Sequence, residues 1–250
     1  MRAEVVLAIC RRDLIKFLRD RQTFLVSLTR PLLWLVGVGF GLRSTFAEAD
    51  TGVDFVSFLV PGVATMSVLF TSTFAAISIV WDREFGFLKE MLVAPVPRSS
   101  IVFAKMLAAS LMALLEVTIV LAIAPLFGAR FDPLGALAAL PLLGAFGMAV
   151  NALGILIASR MKSFEGFGGI VNFLLQPVFF FSGALYPLEG LPPLLAGLVH
   201  LNPMSYAVDG TRGLLVGVHH FPLLLDTAVV MVAVVLLGGL AMRSFARMKA

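Results

Sequence analysis

Leu134-Gly-Ala-Leu-Ala-Ala-Leu-Pro-Leu-Leu-Gly-Ala-Phe-Gly-Met-Ala-Val-Asn-Ala-Leu-Gly-Ile-Leu-Ile-Ala-Ser159 runs for 26 residues without one ionisable side chain. A bilayer core about 30 Å thick takes roughly 20 mostly apolar residues per helix, and this stretch exceeds that. Runs of the same character fall at Phe24–Leu42, Val56–Trp81, Ile101–Phe127, Gly168–Leu185 and Pro222–Met242. The whole chain agrees. Of its 250 residues 60% are hydrophobic and 14% charged, against roughly 45–50% and 25% in soluble proteins. A soluble fold of this size has too much surface to hide that load. Composition therefore excludes a water-soluble enzyme, a disordered tail and a disulfide-stapled secreted module. Cys10 stands alone, so neither an intrachain disulfide nor a cysteine-based metal cluster can form. The expected fold is an all-α integral membrane domain over residues 1–250. It has an amphipathic N-terminal helix in 1–23, six transmembrane helices in 24–242 and a tail in 243–250.

Charge placement sets the expected orientation. An even span count puts both termini on one side. With that side inside, the inner segments hold Arg2, Arg11, Arg12, Lys16, Arg19, Arg21, Arg83, Lys89, Arg98, Lys105, Arg160, Lys162, Arg243, Arg247 and Lys249. The outer connections hold only Arg43, Arg130 and Arg212, and Arg30 lies within the first span. Both termini are expected in the cytoplasm of a prokaryotic cell. The net charge of +4 reflects membrane orientation rather than a nucleic-acid partner. A cleaved signal peptide is not expected: the apolar run Val5–Ile9 is short of an h-region, and Arg11 and Arg12 follow it.

At 100° per residue, Val6, Leu7, Cys10, Leu14, Phe17 and Leu18 share one helical face, with Arg12, Asp13, Lys16, Arg19 and Asp20 opposite. Such a helix lies on the inner membrane surface or packs against another protein.

Catalytic constellations are missing. His200, His219 and His220 are the only histidines, too few and too poorly placed for the three or four convergent ligands of a zinc site. There is no G-x-S-x-G and no H-E-x-x-H. None of the lysines at 16, 89, 105, 162 and 249 follows a glycine, so a P-loop is impossible. Work driven by ATP needs another chain, which would hold the ATP and magnesium. No catalytic residue, cofactor or metal ligand is expected here.

Ionisable or strongly polar groups inside a span are costly, so each is a candidate for function. Arg30 sits about 10 Å into the first span at 1.5 Å per residue, and Pro31 after it is expected to kink the helix. Glu116 lies near the middle of the third span. Asn151, Asn172 and Gln176 add neutral polar groups. These five form a possible substrate path. The plainer reading has Arg30 reaching for the interface, Glu116 satisfied within the bundle, and the amides joining helices. Estimated depths disfavour a direct Arg30–Glu116 pair.

Two segments depart from an up-and-down bundle. In Trp81-Asp-Arg-Glu-Phe-Gly-Phe-Leu-Lys-Glu-Met-Leu-Val-Ala-Pro95 charges alternate with apolar residues before Pro95 and Pro97 stop any helix. A short amphipathic helix here suits a partner's groove or the lipid interface. Phe181-Ser-Gly-Ala-Leu-Tyr-Pro-Leu-Glu-Gly-Leu-Pro-Pro193, continuing to Tyr206, has apolar pieces too short to cross, so an outer re-entrant helical hairpin is expected.

The sequence resembles the transmembrane subunits of type-2 ABC exporters, a family that includes drug, nodulation-factor and polysaccharide exporters. The resemblance rests on Phe58-Leu-Val-Pro-Gly62, on Ile79–Pro95 with Pro97 and Arg98, and on Phe181-Ser-Gly-Ala-Leu-Tyr-Pro-Leu188 with Leu201-Asn-Pro-Met-Ser-Tyr206, Asp209 and Arg212. The wording around Trp81–Pro95 is nearest the daunorubicin-resistance-type drug branch. The resemblance implies two permease subunits, a homodimer being expected, each docked on a separate P-loop ATPase. It makes Glu84–Leu92 the coupling helix, with Arg83, Glu84, Phe85, Phe87, Lys89 and Glu90 as ATPase contacts. It also makes the N-terminal helix an elbow with Arg12, Lys16 and Arg19 as a second contact. The expected cargo is an amphipathic drug or lipid-like compound. A polysaccharide or lipid-linked glycan is the alternative, which the scarcity of tryptophan within spans (Trp34 alone) argues against. An ion-coupled transporter would show an internal repeat and more buried carboxylates. A membrane-embedded enzyme would need clustered catalytic groups, and Asp82, Glu84 and Glu90 are the only such set.

Overall fold

The computed structural model describes residues 3–41, 53–86, 96–161 and 163–248. The chain forms α1 (Ala3–Arg19), α2 (Arg21–Gly41), α3 (Phe55–Ala75), α4 (Ile77–Glu84), α5 (Arg98–Ile123, prolonged by a 3-10 turn Ala124–Phe127), α6 (Pro133–Ala158), α7 (Phe164–Phe180), α8 (Pro193–Leu201), α9 (Pro203–Val216) and α10 (Leu223–Ala246). Local chemistry sets these limits. Asp54, Asp132, Ser163 and Asn202 each accept a hydrogen bond from the first turn of the helix that follows. Gly128 and Gly217 end the turn after α5 and α9 in left-handed conformation, at φ of 90° and 75°.

Five helical stretches are long and apolar enough to cross a membrane: α2, Phe55–Glu84 (α3 with α4), Arg98–Phe127 (α5 with its turn), α6 and α10. The chain is a multi-pass membrane protein. The fifth expected span, Gly168–Leu185, is the 17-residue apolar helix α7, which begins earlier at its Ser163 cap and stops before Ser182 and Gly183. The second expected span divides at Ala76. Helix α2 runs unbroken through Pro31.

Because lipid tails are as apolar as Leu, helix association here rests on close packing and polar contacts. α6 is the hub, lying against α3, α5, α9 and α10. Its glycines make that possible. A Cβ on Gly154 would stand 2.9 Å from the Thr73 carbonyl, and one on Gly147 3.0 Å from Ser72 Oγ. The Ser110 hydroxyl donates to the Gly144 carbonyl at 2.8 Å, and Asn151 Nδ2 to the Ser72 carbonyl at 2.7 Å.

Side-chain bonds tie the two ends of the bundle. At the basic end, Cys10 Sγ donates to the Ala104 carbonyl, and Arg98 donates to the carbonyls of Ala246 and Met248 at the end of α10. Helices α1 and α10, the first and last of the chain, therefore meet the start of α5 together. Arg83 reaches the carbonyls of Ser159 and Met161 past α6. At the far end, the Arg130 amide donates to Ser57 Oγ and the Asp132 amide to the Leu215 carbonyl.

The stretch after α7 is a turn, the short α8, and then α9, of which ten residues are buried. Arg212, expected in an outer connection, is only 2% exposed on α9. Residues 87–95, with Phe87, Lys89 and Glu90 of the expected coupling helix, lie outside the described residues. α4 ends at Glu84, and Gly86 turns the chain at φ 83°.

Candidate functional site

A cleft of about 950 Å³ opens at the basic end between α1, α2, α3, α4 and α5. Its deep part is formed by Ser27 and Arg30 of α2, Phe70 and Thr71 of α3, and Met112 and Glu116 of α5. Glu116 is 1% exposed and accepts a hydrogen bond from the Thr71 hydroxyl. The Arg30 guanidinium lies 4.3 Å from the centre of the Phe70 ring, within cation–π range. Consecutive α3 residues thus contact the two groups, which share the cavity. Apolar walls from Phe17, Val26 and Phe74 connect this polar floor to the mouth. Such a cavity, apolar with a few convergent polar groups, is the ordinary form of a small-molecule site.

The mouth is rich in charge. Arg12 pairs with Asp13 at 2.8 Å. Lys16 sits 4.8 Å above the Trp81 ring. Lys105, 4% exposed, donates to Ser78 Oγ and Asp82 Oδ2, each at 3.0 Å. Asp20 caps α2 by accepting from the amide and hydroxyl of Thr23, which holds its carboxyl below the usual range. Burial and the charge of Asp13 push the Cys10 thiol up.

The other expected residues lie elsewhere. Asn151 is buried between α6 and α3 and serves as an interhelical bond. Asn172 bonds the Gly168 carbonyl of its own helix and, with Gln176, faces outward on α7. Arg83 is held by the end of α6, whereas Phe85 is 72% exposed. On α1, Cys10 is buried and Leu14 and Phe17 pack against the core, while Leu7 and Leu18 point outward and Arg19 is exposed. The apolar face is therefore divided between the protein's own bundle and the surroundings.

Sequence reasoning missed Lys105, the polar cluster at the far end, and Asp226, which is fully buried on α10 within the expected sixth span. Lys105 counted only as a basic residue, although a lysine eight residues into an apolar helix needs a buried partner. At the far end, the Arg212 guanidinium stacks 3.8 Å from the Phe58 ring centre and donates to the carbonyls of Gly183 and Ala184. Gly62 lets this contact form, since a Cβ there would stand 2.2 Å from the Ala184 oxygen. Asp209 accepts the amides of His220 and Phe221, pinning the loop before α10. Asn202 donates to the carbonyls of Val178 and Phe181, tying α9 to the end of α7.

Residues 4–216 match the family described as ABC-2 type transporter. The chain is similar to the ycf38 transport permease of Porphyra purpurea, 32% identical over 216 residues that cover 82% of this chain and 72% of that protein. The ycf38 transport permease of Cyanophora paradoxa is 26% identical over 205 residues, 81% and 71% of the two chains. Nodulation protein J of Rhizobium leguminosarum bv. viciae is 27% identical over 214 residues, 84% and 82% of the two chains.

Proposed function

The chain belongs to the ABC-2 type transporter family, and from that premise we propose that it is the permease subunit of an ATP-driven exporter whose ATPase is a separate chain. Two copies of the permease pair, each docked on one P-loop ATPase. The cargo is an amphipathic compound, drug or lipid-like, that leaves the cytoplasm or the inner leaflet. The observation that carries this cargo class is the cleft: apolar walls above a floor holding Arg30 and Glu116, open at the basic end. Its size suits a small amphiphile.

In this reading α7 is the fifth of six spans and α1 is the elbow, with Leu7 and Leu18 facing lipid. The largely exposed α8 and the buried α9 are the re-entrant hairpin on the outer side. Both termini face the cytoplasm of a prokaryotic cell, as the fifteen-to-three distribution of basic residues supports. Glu84 and Phe85 lead into the coupling segment, whose Phe87, Lys89 and Glu90 complete the ATPase contact. Closure of the ATPases on ATP then pushes on this segment and rocks the spans.

The test is a mild-detergent pull-down of the tagged chain from its native membrane, with co-purifying proteins identified and tested for ATP hydrolysis. A stoichiometric P-loop ATPase is expected. Recovery of the chain alone from membranes where it is active overturns the reading and brings ion coupling forward.

A further inference from the structure

Lys105, at the cleft mouth, joins three helices. Its ammonium, on α5, lies 3.0 Å from Asp82 of α4 and 3.9 Å from Asp13 of α1. It is almost fully buried, and the side chains of the two carboxylates are only 15% and 12% exposed. Two acids facing each other in so enclosed a place depend on the cation between them, because a buried charge left without its partner is strongly unfavourable. The two contacts are unequal. The shorter one goes to α4, the arm that leads into the connection at residues 87–95. The longer one goes to α1, and Asp13 offsets its shortfall by accepting from Arg12. One turn before Asp13, Cys10 lies sealed against α5 by its bond to Ala104.

We propose that Lys105 is a positioning residue whose ammonium is shared between α4 and α1, so that movement of the α4 arm away from α5 hands the cation to Asp13 and tightens α1 onto the bundle. The arm and the N-terminal helix are thereby opposed through the Lys105 charge, beside their direct contact at Lys16 and Trp81. A push at the basic end reaches α1 with its sign reversed, and no direct contact between Asp82 and α1 is required. The role of this linkage in export rests on the exporter reading, but the linkage itself belongs to this chain alone.

Cys10 is the natural reporter, since it is the only cysteine and its thiol is reachable only when α1 lifts from α5. The experiment is the rate of maleimide labelling of the purified full chain, relative to the same chain unfolded in SDS. Measuring at two pH values separates exposure from thiol acidity. Asp13→Asn is expected to raise the labelling rate about fivefold, the scale of one weak ion pair, since its 3.9 Å contact is the longer of the two. Asp82→Asn is expected to lower it, because Asp13 is then the one carboxylate left to the ammonium, with the Ser78 hydroxyl its neutral partner on α4. Lys105→Met is expected to raise it at least as much as Asp13→Asn, and Lys105→Arg to leave it near the wild-type rate. Asp13→Asn and Asp82→Asn each leave the ammonium one carboxylate partner, so they keep the comparison open if Lys105→Met does not fold. Equal-signed shifts in the two aspartate variants, or no shift in either, overturn the proposal. The assay uses neither nucleotide nor cargo. Its failure is therefore distinct from failure to recover an ATPase.

Discussion

Replacing Gly62 by alanine is the sharpest test of how the far end is closed. The added carbon would stand 2.2 Å from the Ala184 oxygen, 2.8 Å from its carbonyl carbon and 2.9 Å from its Cα. Non-bonded carbon and oxygen settle no closer than about 3.3 Å, so α3 and the turn must part by about 1 Å. All three obstructing atoms are backbone, and no side chain can swing aside. The turn is not free to retreat either, because Gly183 is at φ 70° and Arg212 grips the carbonyls on both residues. Overpacking of this kind costs about 1–3 kcal/mol. Loosening the guanidinium from one buried carbonyl adds about 1.5–3 kcal/mol, and the gain of a helical alanine returns about 1 kcal/mol. The net loss is about 3 kcal/mol, or roughly 6–12 °C in melting temperature for a chain of this length. The assay is the fraction of monodisperse protein surviving a heating series in detergent, read by size-exclusion chromatography. Gly239→Ala is the matched control, a glycine of α10 whose Cβ would meet nothing within 4 Å. If Gly62→Ala melts with Gly239→Ala, the closure described here is wrong.

Arg212→Met keeps most of the side-chain volume but forfeits two carbonyl bonds and the Phe58 stack, so it should lose about 2–4 kcal/mol in the same heating assay; an unchanged melting point would show that Arg212 does not hold the turn. Asp226 is fully buried, and neither of its carboxyl oxygens finds a hydrogen-bond partner among the described residues. Asp226→Ala should therefore be neutral or stabilising by about 1–3 kcal/mol, and a clear fall in melting temperature would refute that accounting. Glu116→Gln leaves an oxygen to accept from Thr71, so melting should shift by less than about 1 kcal/mol while the range of exported compounds changes. An unaltered export profile would make Glu116 structural. The Asp20 cap has a depressed carboxyl, so its contribution is present above the unfolded carboxylate value of about 3.9 and is lost as pH falls through the lower folded value. Amide exchange at Thr23, corrected for its intrinsic rate, should stay protected at pH 4 and lose protection only below it.

Much of the fold could be read from the chain because membrane spans are written as long uninterrupted runs. The 26 uncharged residues of Leu134–Ser159 fall within three residues of α6 at either end. Helix ends were less legible. The break at Ala76 carries no proline or glycine, and α7 is shorter than its apolar run because Ser182 and Gly183 turn the chain before Leu185. At the site, Arg30 and Glu116 announced themselves through the energetic cost of charge in a span, and both line the cleft. Their contacts with Phe70 and Thr71 were not legible, since depth along two helices says nothing of what a third helix offers each of them. Lys105 and Arg212 were visible as basic residues but not as buried ones. Positive-inside counting treats all cations alike, whereas a carboxylate 23 residues away in sequence and two carbonyls 28 and 29 away decided their places.

The distribution of polar contacts bears on how such a bundle could move. The interior pillar of α3, α5 and α6 is joined by side-chain bonds onto backbone carbonyls and by glycine-mediated approach, as at Asn151, Ser110 and Gly147. These are short-range contacts that fail abruptly, so the pillar has little room for sliding. The far end is locked by a guanidinium between two carbonyls and an aromatic face, a geometry that only arginine's planar fork supplies. The basic end is different in kind. There, beside the packing of Leu14 and Phe17, the polar contacts of α1 are one thiol bond, Lys16 over Trp81 and a lysine divided between two acids, and ammonium groups accept new partners with little loss of geometry. Rigid attachment at one end and exchangeable charge pairs at the other favour motion that begins beside Asp82 and Lys105 and reaches the far lock only when the whole pillar tilts.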